Sequence, residues 1–272
     1  MERICVGFIG MGQRGPGLLS NVLNNFKEVE VVAICDAYLD KLEAGVRLVK
    51  ELSGQVCKGY VDYRDLLNDE EINTVIISAS WEAHVPLAIA SMEAGKITGL
   101  EVGGAYSVDD CWQLVRTYQK TQTPFMFLEN CCYGKYELLA NSLARHGVFG
   151  EIVHCHGAYS HDCRREIADG VKLRHYRLRN YLSRNCENYP THELGPIAKL
   201  LNINRGNRML SLVSVASKAR GMSAFVKGKE EYGYLQDKIF SQAKRLSEAR
   251  RKASKMLEKE ISNQLSELGM GG

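Results

Sequence analysis

Apolar and polar positions follow two rhythms along the first 130 residues. Apolar runs at Ile4–Ile9, Val29–Cys35, Thr74–Ser78, Ile97–Glu101 and Pro124–Leu128 are flanked by turn residues and read as strands. Between them, Leu18–Phe26, Leu39–Leu52, Ala83–Ala94 and Val108–Thr121 repeat apolar residues at three- and four-residue spacing, as helices do. Strand–helix alternation of this kind predicts an α/β fold, a doubly wound parallel sheet with helices on both faces.

Beyond Asn130 the rhythm changes. Tyr136–Arg145 reads as a helix, Glu151–His161 as a long strand, and Cys163–Asn188 as a polar, arginine-rich stretch with little periodicity. A helix is expected to begin between Thr191 and Pro196 and to run to about Asn202, because proline is favoured in a first turn. Met209–Ser217 reads as another strand. From there a stripe of Leu235, Ile239, Ala243, Leu246, Ala249, Ala253, Leu257, Ile261 and Leu265 recurs every 3.75 residues on average, an α-helical rather than a heptad period. The pattern divides the chain into an α/β domain at 1–130, a partial α+β domain at 131–226 and a long amphipathic helix at 227–272. The stripe is also of a kind that pairs with a second copy, which would make the chain a homo-oligomer.

Composition narrows the class. The 272 residues are 45% apolar and 25% charged, enough for a sizeable core and unlike a disordered chain, a collagen fibre or a disulfide-stapled miniature. No apolar run is long enough to span a membrane, and the N-terminus leads straight into the first strand rather than into a signal peptide. Nine cysteines, an odd number without paired or zinc-like spacing, read as reduced thiols and point to the cytoplasm. Of the net charge of +3, all is accounted for between Leu235 and Leu268, which carries eight Lys/Arg against five Asp/Glu. The remaining body is balanced, so nucleic acid, which needs a concentrated basic face, is not the expected partner.

Chemistry enters at Gly10-Met11-Gly12-Gln13-Arg14-Gly15, a G-x-G-x-x-G run directly after the first strand. The first glycine suits a tight turn, the second a close approach to pyrophosphate, and the third close helix–strand packing. A helix N-terminus then offers unpaired N–H groups to the phosphates. Strand two ends at Asp36, 21 residues after Gly15, where a carboxylate accepts hydrogen bonds from ribose hydroxyls. No arginine follows Asp36 immediately, so the Rossmann-type site is expected to take NAD rather than NADP. Trp81-Glu82-Ala83-His84 and Glu101-Val102-Gly103-Gly104 fall at carboxyl ends of two other strands, where a nicotinamide would lie, although packing and helix-start roles suit the same residues. His154, His156 and His161 alternate on one expected strand face, but nothing at recognisable spacing completes a metal site, and none is predicted.

These motifs, with Glu129-Asn130-Cys131-Cys132-Tyr133-Gly134, Gly157-Ala158-Tyr159-Ser160-His161-Asp162 and Tyr189-Pro190-Thr191-His192-x-Leu194-Gly195-Pro196, resemble glycoside hydrolase family 109. That family comprises NAD-dependent α-N-acetylgalactosaminidases of the Gfo/Idh/MocA oxidoreductase superfamily, and the likeness runs from Arg3 to about Val226. By the resemblance, Arg14 and Gly15 contact the phosphates of NAD and Asp36 its ribose, beside the Gly10 and Gly12 of the motif, and Trp81, His84, Glu101, Val102 and Asn130 surround its nicotinamide half. Tyr159, Arg177, Tyr189 and His192 would contact a terminal sugar or glycoside, with Tyr189 and His192 as the catalytic proton-transfer pair. The implied hydrolysis passes through oxidation at C3, loss of the C2 proton with the C1–O bond, addition of water and re-reduction, in place of the usual two carboxylates. An imidazole exchanges protons near neutrality, a tyrosine beside a positive helix end is helped towards its anion, and an arginine offsets enolate charge.

The sequence also departs from the family. Gly103 replaces a usual proline, Cys186-Glu187-Asn188 a Gly-Asn-Leu, and Glu193 a glycine. No Pro-Arg-Pro-Tyr segment with its further substrate tyrosine follows Val226, so the second domain is expected to be incomplete. Two alternatives therefore stand beside the glycosidase: a sugar dehydrogenase of the same superfamily, disfavoured because Glu101-Val102-Gly103 lacks the lysine of a Glu-Lys-Pro run, and a non-catalytic NAD-binding protein.

Overall fold

The computed structural model describes residues 3–184 and 186–238, together with 241, 244, 245, 247, 248, 251, 252 and 254–256. The first five apolar runs form strands: β1 (Ile4–Ile9), β2 (Val29–Cys35), β4 (Thr74–Ile77), β5 (Ile97–Leu100) and β6 (Phe125–Phe127), with β3 (Lys58–Tyr60) added between β2 and β4 in sequence. All pair in parallel in the order β3-β2-β1-β4-β5-β6. The order reverses between β1 and β4, which opens a crevice at the carboxyl ends of those strands. This is the Rossmann arrangement the alternation predicts.

Side chains on successive strand residues point to opposite faces, so a sheet covered on both sides needs two cores. Val6, Phe8, Val31 and Ile34 pack with Leu19, Leu42 and Val49 from α1 (Gly15–Asn25) and α2 (Leu39–Ser53). Cys5, Ile9, Val32 and Cys35 join Leu66 of α3 (Tyr63–Leu67) and Leu87 and Ala88 of α4 (Trp81–Glu93) in the second. Gly54, with φ +71, ends α2 in the left-handed conformation that glycine adopts without strain. Ser107 and Asp110 form a reciprocal capping box at the start of α5 (Val108–Thr121).

Two expected strands are not strands. Glu151–His161 and Met209–Ser217 run without regular secondary structure, and Val153, Leu212 and Val215 are almost fully exposed. A strand needs a neighbour to satisfy its backbone and cover its apolar face, and among the described residues neither segment has one. The strand face that would have aligned His154, His156 and His161 is therefore not formed. The helical expectations do better: α6 spans Lys135–Arg145 and α9 spans Pro190–Leu200, starting just ahead of Thr191. Cys163–Asn188 contains two short helices, α7 (Arg164–Ala168) and α8 (Arg177–Ser183), and α10 spans Gly221–Val226.

The chain forms two compact units, Met1–Ser160 with Glu187–Val213, and His161–Cys186 with Ser214–Gly272. The second unit has its own small core of Cys163, Ile167, Ala168, Leu178, Val226, Tyr232 and Leu235. The Tyr234 hydroxyl donates to the Ala168 carbonyl at 2.8 Å, tying the helical 233–238 segment to α7. Of the expected tail stripe only Leu235 is described; Ile239, Ala243, Leu246, Ala249, Ala253, Leu257, Ile261 and Leu265 lie outside the described residues. No helix among the described residues is long and apolar enough to cross a membrane.

Candidate active site and cofactor cleft

β1 hands over to α1 through the glycine loop, and the three glycines differ in what surrounds them. Gly10 has φ +99, and a Cβ there would lie 2.6 Å from the Ala79 backbone nitrogen. At Gly15 a Cβ would collide with the Gly10 carbonyl oxygen. Nothing lies within 4 Å of the Cβ position at Gly12, so this glycine opens onto free space. One glycine thus serves the turn, one the packing, and the middle one leaves room for a ligand to approach the backbone. Beside the loop, Asp36 Oδ2 accepts the Met11 N–H at 2.7 Å and Oδ1 the Tyr38 N–H at 2.9 Å, which fixes the carboxylate at the end of β2. The open cradle and the fixed carboxylate fit a dinucleotide with free ribose hydroxyls, which is NAD.

Arg14 Nε donates to Glu101 Oε1 at 2.7 Å, and Glu101 Oε2 accepts the Val102 N–H at 2.9 Å. The loop and the end of β5 are thereby joined; Glu101 and Val102 are buried while the Arg14 side chain stays half exposed. Trp81 opens α4 and is buried beside the same strand end. Gly103, at φ +90, makes room for it, because a Cβ there would run into Trp81 Nε1. Proline, held near φ of about −65°, cannot adopt that backbone, so this departure from the family is coupled to where the indole sits. Asn130 is exposed at the start of the 3-10 turn Asn130–Tyr133.

His84 lies one turn into α4 and is buried in its packing. Its Nε2–H donates to the Ala79 carbonyl at 3.1 Å, while Nδ1 has no hydrogen-bond partner among the described residues. Burial pushes its pKa down to about 4, so the ring is neutral near pH 7.

Tyr189 and His192 meet at the start of α9. Tyr189 caps the helix and His192 stands three residues on, so both lie on one side of its first turn. Their rings are parallel with centroids 5.1 Å apart. Tyr159 joins from the irregular 151–160 segment, 4.3 Å from the His192 ring and 5.5 Å from that of Tyr189. Trp81 meets Tyr189 edge to face at 5.3 Å, so the wall beside β5 and the Tyr–His pair are one cluster within the first unit. Glu187, part of the altered Cys186-Glu187-Asn188 run, accepts the Tyr189 N–H at 2.9 Å and fixes the entry into α9. Glu193 packs against Gly157, where a Cβ would lie 2.9 Å from its own Cβ.

Arg177 stands at the first position of α8 in the second unit. Its guanidinium pairs with Glu166, which also meets His175 Nε2 at 3.1 Å.

One buried group carries no expectation from the sequence. Glu129 follows β6, and its Oε1 lies 2.6 Å from His192 Nδ1 and accepts the Cys131 N–H at 2.9 Å. Burial would push this carboxyl up, but hydrogen bonds from Thr191, His192 and the Cys131 amide outweigh it and hold the group below the usual carboxylate range. A signal was present, since Glu129 heads the E-N-C-C-Y-G motif and follows a strand's carboxyl end. Glu129, Cys131 and His192 also bring three would-be metal-binding atoms within 4.8 Å. However, 2.6 Å between Oε1 and Nδ1 is a hydrogen-bond distance, shorter than the roughly 3 Å or more separating two ligands of one ion.

Known proteins resemble this chain in both of its halves. Residues 4–128 match the oxidoreductase family with an NAD-binding Rossmann fold, and residues 133–242 match the C-terminal domain of glycosyl hydrolase 109. The chain thus matches the C-terminal domain of glycosyl hydrolase 109 behind an NAD-binding Rossmann domain. A family 109 protein of Shewanella pealeana is 40% identical over 232 residues, which are 84% of this chain and 51% of that protein. Family 109 protein 1 of Shewanella sp. strain ANA-3 is likewise 40% identical, over 84% of this chain and 50% of its own. The chain therefore spans about half the length of the curated family 109 relatives it matches. Among solved structures, scyllo-inositol dehydrogenase from Lactobacillus casei, with bound NAD(H) and scyllo-inositol, superposes with a TM-score of 0.57 at 14% identity, over 73% of this chain and 56% of that one. That likeness is one of fold. The chain thus has an NAD-binding Rossmann domain, and its cofactor is NAD.

Proposed function

We propose that this chain takes part in NAD-dependent glycoside hydrolysis, releasing terminal α-N-acetylgalactosamine. The observation that supports this best is the parallel Tyr189–His192 pair, joined through Trp81 to the strand ends of a dinucleotide-binding sheet. When bound, NAD supplies an acceptor for hydrogen from C3 of the sugar and later returns it.

Gly10, Gly12 and Gly15 shape the loop that a pyrophosphate would approach, Arg14 would add positive charge, and Asp36 would accept ribose hydroxyls. Trp81, Glu101, Val102 and Asn130 would wall the nicotinamide half, with His84 packed as a neutral group in α4. Oxidation at C3 needs a base for the hydroxyl proton, and elimination needs one for the proton on C2. Tyr189 and His192 fill those roles, standing side by side at the start of α9. Tyr159 packs on both rings and limits water around them.

The test is a nitrophenyl α-N-acetylgalactosaminide assayed with and without added NAD. Release of nitrophenol without net formation of NADH supports the glycosidase. Stoichiometric NADH from a free sugar would establish a dehydrogenase instead, and tight NAD binding with neither activity would leave a binding protein. Tyr189→Phe and His192→Gln variants retaining the parent pH–rate profile would overturn the assignment of the pair.

A further inference from the structure

We infer that Glu129 is the positioning residue of the site, holding His192 in the tautomer with its proton on Nδ1 and its lone pair on Nε2. This deepens the proposed function and rests on it for the kinetic consequence only; the tautomer is a property of the folded chain.

The geometry is that of a buried, charge-assisted hydrogen bond. Glu129 and His192 are 6% and 9% exposed, and Oε1 lies 2.6 Å from Nδ1. A carboxylate accepts and does not donate, so the proton between these atoms belongs to the imidazole nitrogen. Glu129 is held as a carboxylate by the Thr191, His192 and Cys131 hydrogen bonds and cannot rotate freely, because the same Oε1 accepts the Cys131 amide. In the neutral ring, with the proton committed to Nδ1, Nε2 carries the lone pair and is the ring atom able to take a proton from substrate. When it does so, the imidazolium that forms has its charge opposite Glu129, and the same proton can be returned in the water-addition half of the cycle. Two elements that are distant in sequence, the end of β6 and the first turn of α9, are thereby locked together through the reacting imidazole. The Tyr189 ring lies parallel to the imidazole and the Tyr159 ring packs against it at a tilt, while Glu129 holds it at its Nδ1 edge.

The experiment has two independent readouts on the full chain, with and without NAD. Long-range proton–nitrogen NMR of histidine-labelled protein at pH 8 reads the tautomer of His192, its signal being identified by loss in His192→Gln. The Nδ1–H form is expected in the parent protein and a mixed or reversed population in Glu129→Gln, whose amide can donate to Nδ1. In the kinetic arm, Glu129→Gln is expected to lower kcat on the order of 10²–10⁴-fold with KM changed less than about threefold, and Glu129→Asp to recover part of the loss. A parent protein with the proton on Nε2, or a Glu129→Gln variant with unchanged tautomer and kcat, would overturn the inference. Absence of glycosidase activity in the parent protein would sink the proposed function alone, since the NMR result stands without it. If Glu129→Gln does not fold, Glu129→Asp and the parent tautomer still decide.

Discussion

His84 shows how one buried side chain writes a pH dependence into the fold. Unfolded, its imidazole takes up a proton near pH 6.5; folded, burial delays this to about 4. Between those values the unfolded chain binds more protons than the native one, so stability rises with pH through the window and is lost as acid is added. The loss amounts to about 3 kcal/mol by pH 4. Urea midpoints at several pH values should show this slope, and His84→Gln should flatten it; an equal slope in that variant would place the acid sensitivity elsewhere. Gly12 gives the opposite kind of prediction. Because its Cβ position is empty, Gly12→Ala should fold with an unchanged Tm yet bind NAD about tenfold more weakly or worse, as titration of intrinsic fluorescence would measure. Gly15→Ala, whose Cβ meets the Gly10 carbonyl, should lower Tm as well. Equal thermal losses in the two variants would mean that Gly12 is needed for the fold rather than for the ligand.

At the scale of elements, local signals and tertiary signals had different fates. Ser107 and Asp110 state the start of α5 in the sequence itself, and the helix begins where they say. Removing the cap in Ser107→Ala leaves the Asp110 amide without its acceptor, and should cost about 1 kcal/mol in urea unfolding. Strands buried between two helical layers were equally legible, because short apolar runs bounded by turn residues, such as Val31–Cys35, suit a strand covered on both faces. Short elements such as β3 at Lys58–Tyr60 were not, since three residues carry no period. Glu151–His161 and Met209–Ser217 failed for another reason: alternation makes a segment able to pair, but a strand exists only where a partner does. The site divided in the same way. Gly10, Gly12, Gly15 and Asp36 are read from spacing, because phosphate binding is a property of one turn. The Glu129–His192 contact joins residues 63 apart, and no local pattern announces it.

For the whole molecule, the distribution of apolar burial predicts how it comes apart. Among the described residues, the first unit has two clusters of thirteen and nine buried residues on the faces of its sheet, whereas the second has seven around short helices. Stability from burial scales with the apolar area withdrawn from water, so the second unit should open at lower denaturant than the first. Both tryptophans, Trp81 and Trp112, belong to the first unit, and helices contribute to both. Far-UV circular dichroism in urea should therefore fall in two steps, and tryptophan fluorescence only in the later one. The glycine loop, Asp36, Trp81 and Glu101 all lie in the first unit, so NAD should raise the later midpoint without moving the earlier one. At a hundredfold excess over its dissociation constant the gain is about 2.7 kcal/mol. A single transition, coincident by both probes and shifted as a whole by NAD, would show instead that the two units unfold as one and that cofactor binding is felt throughout the chain.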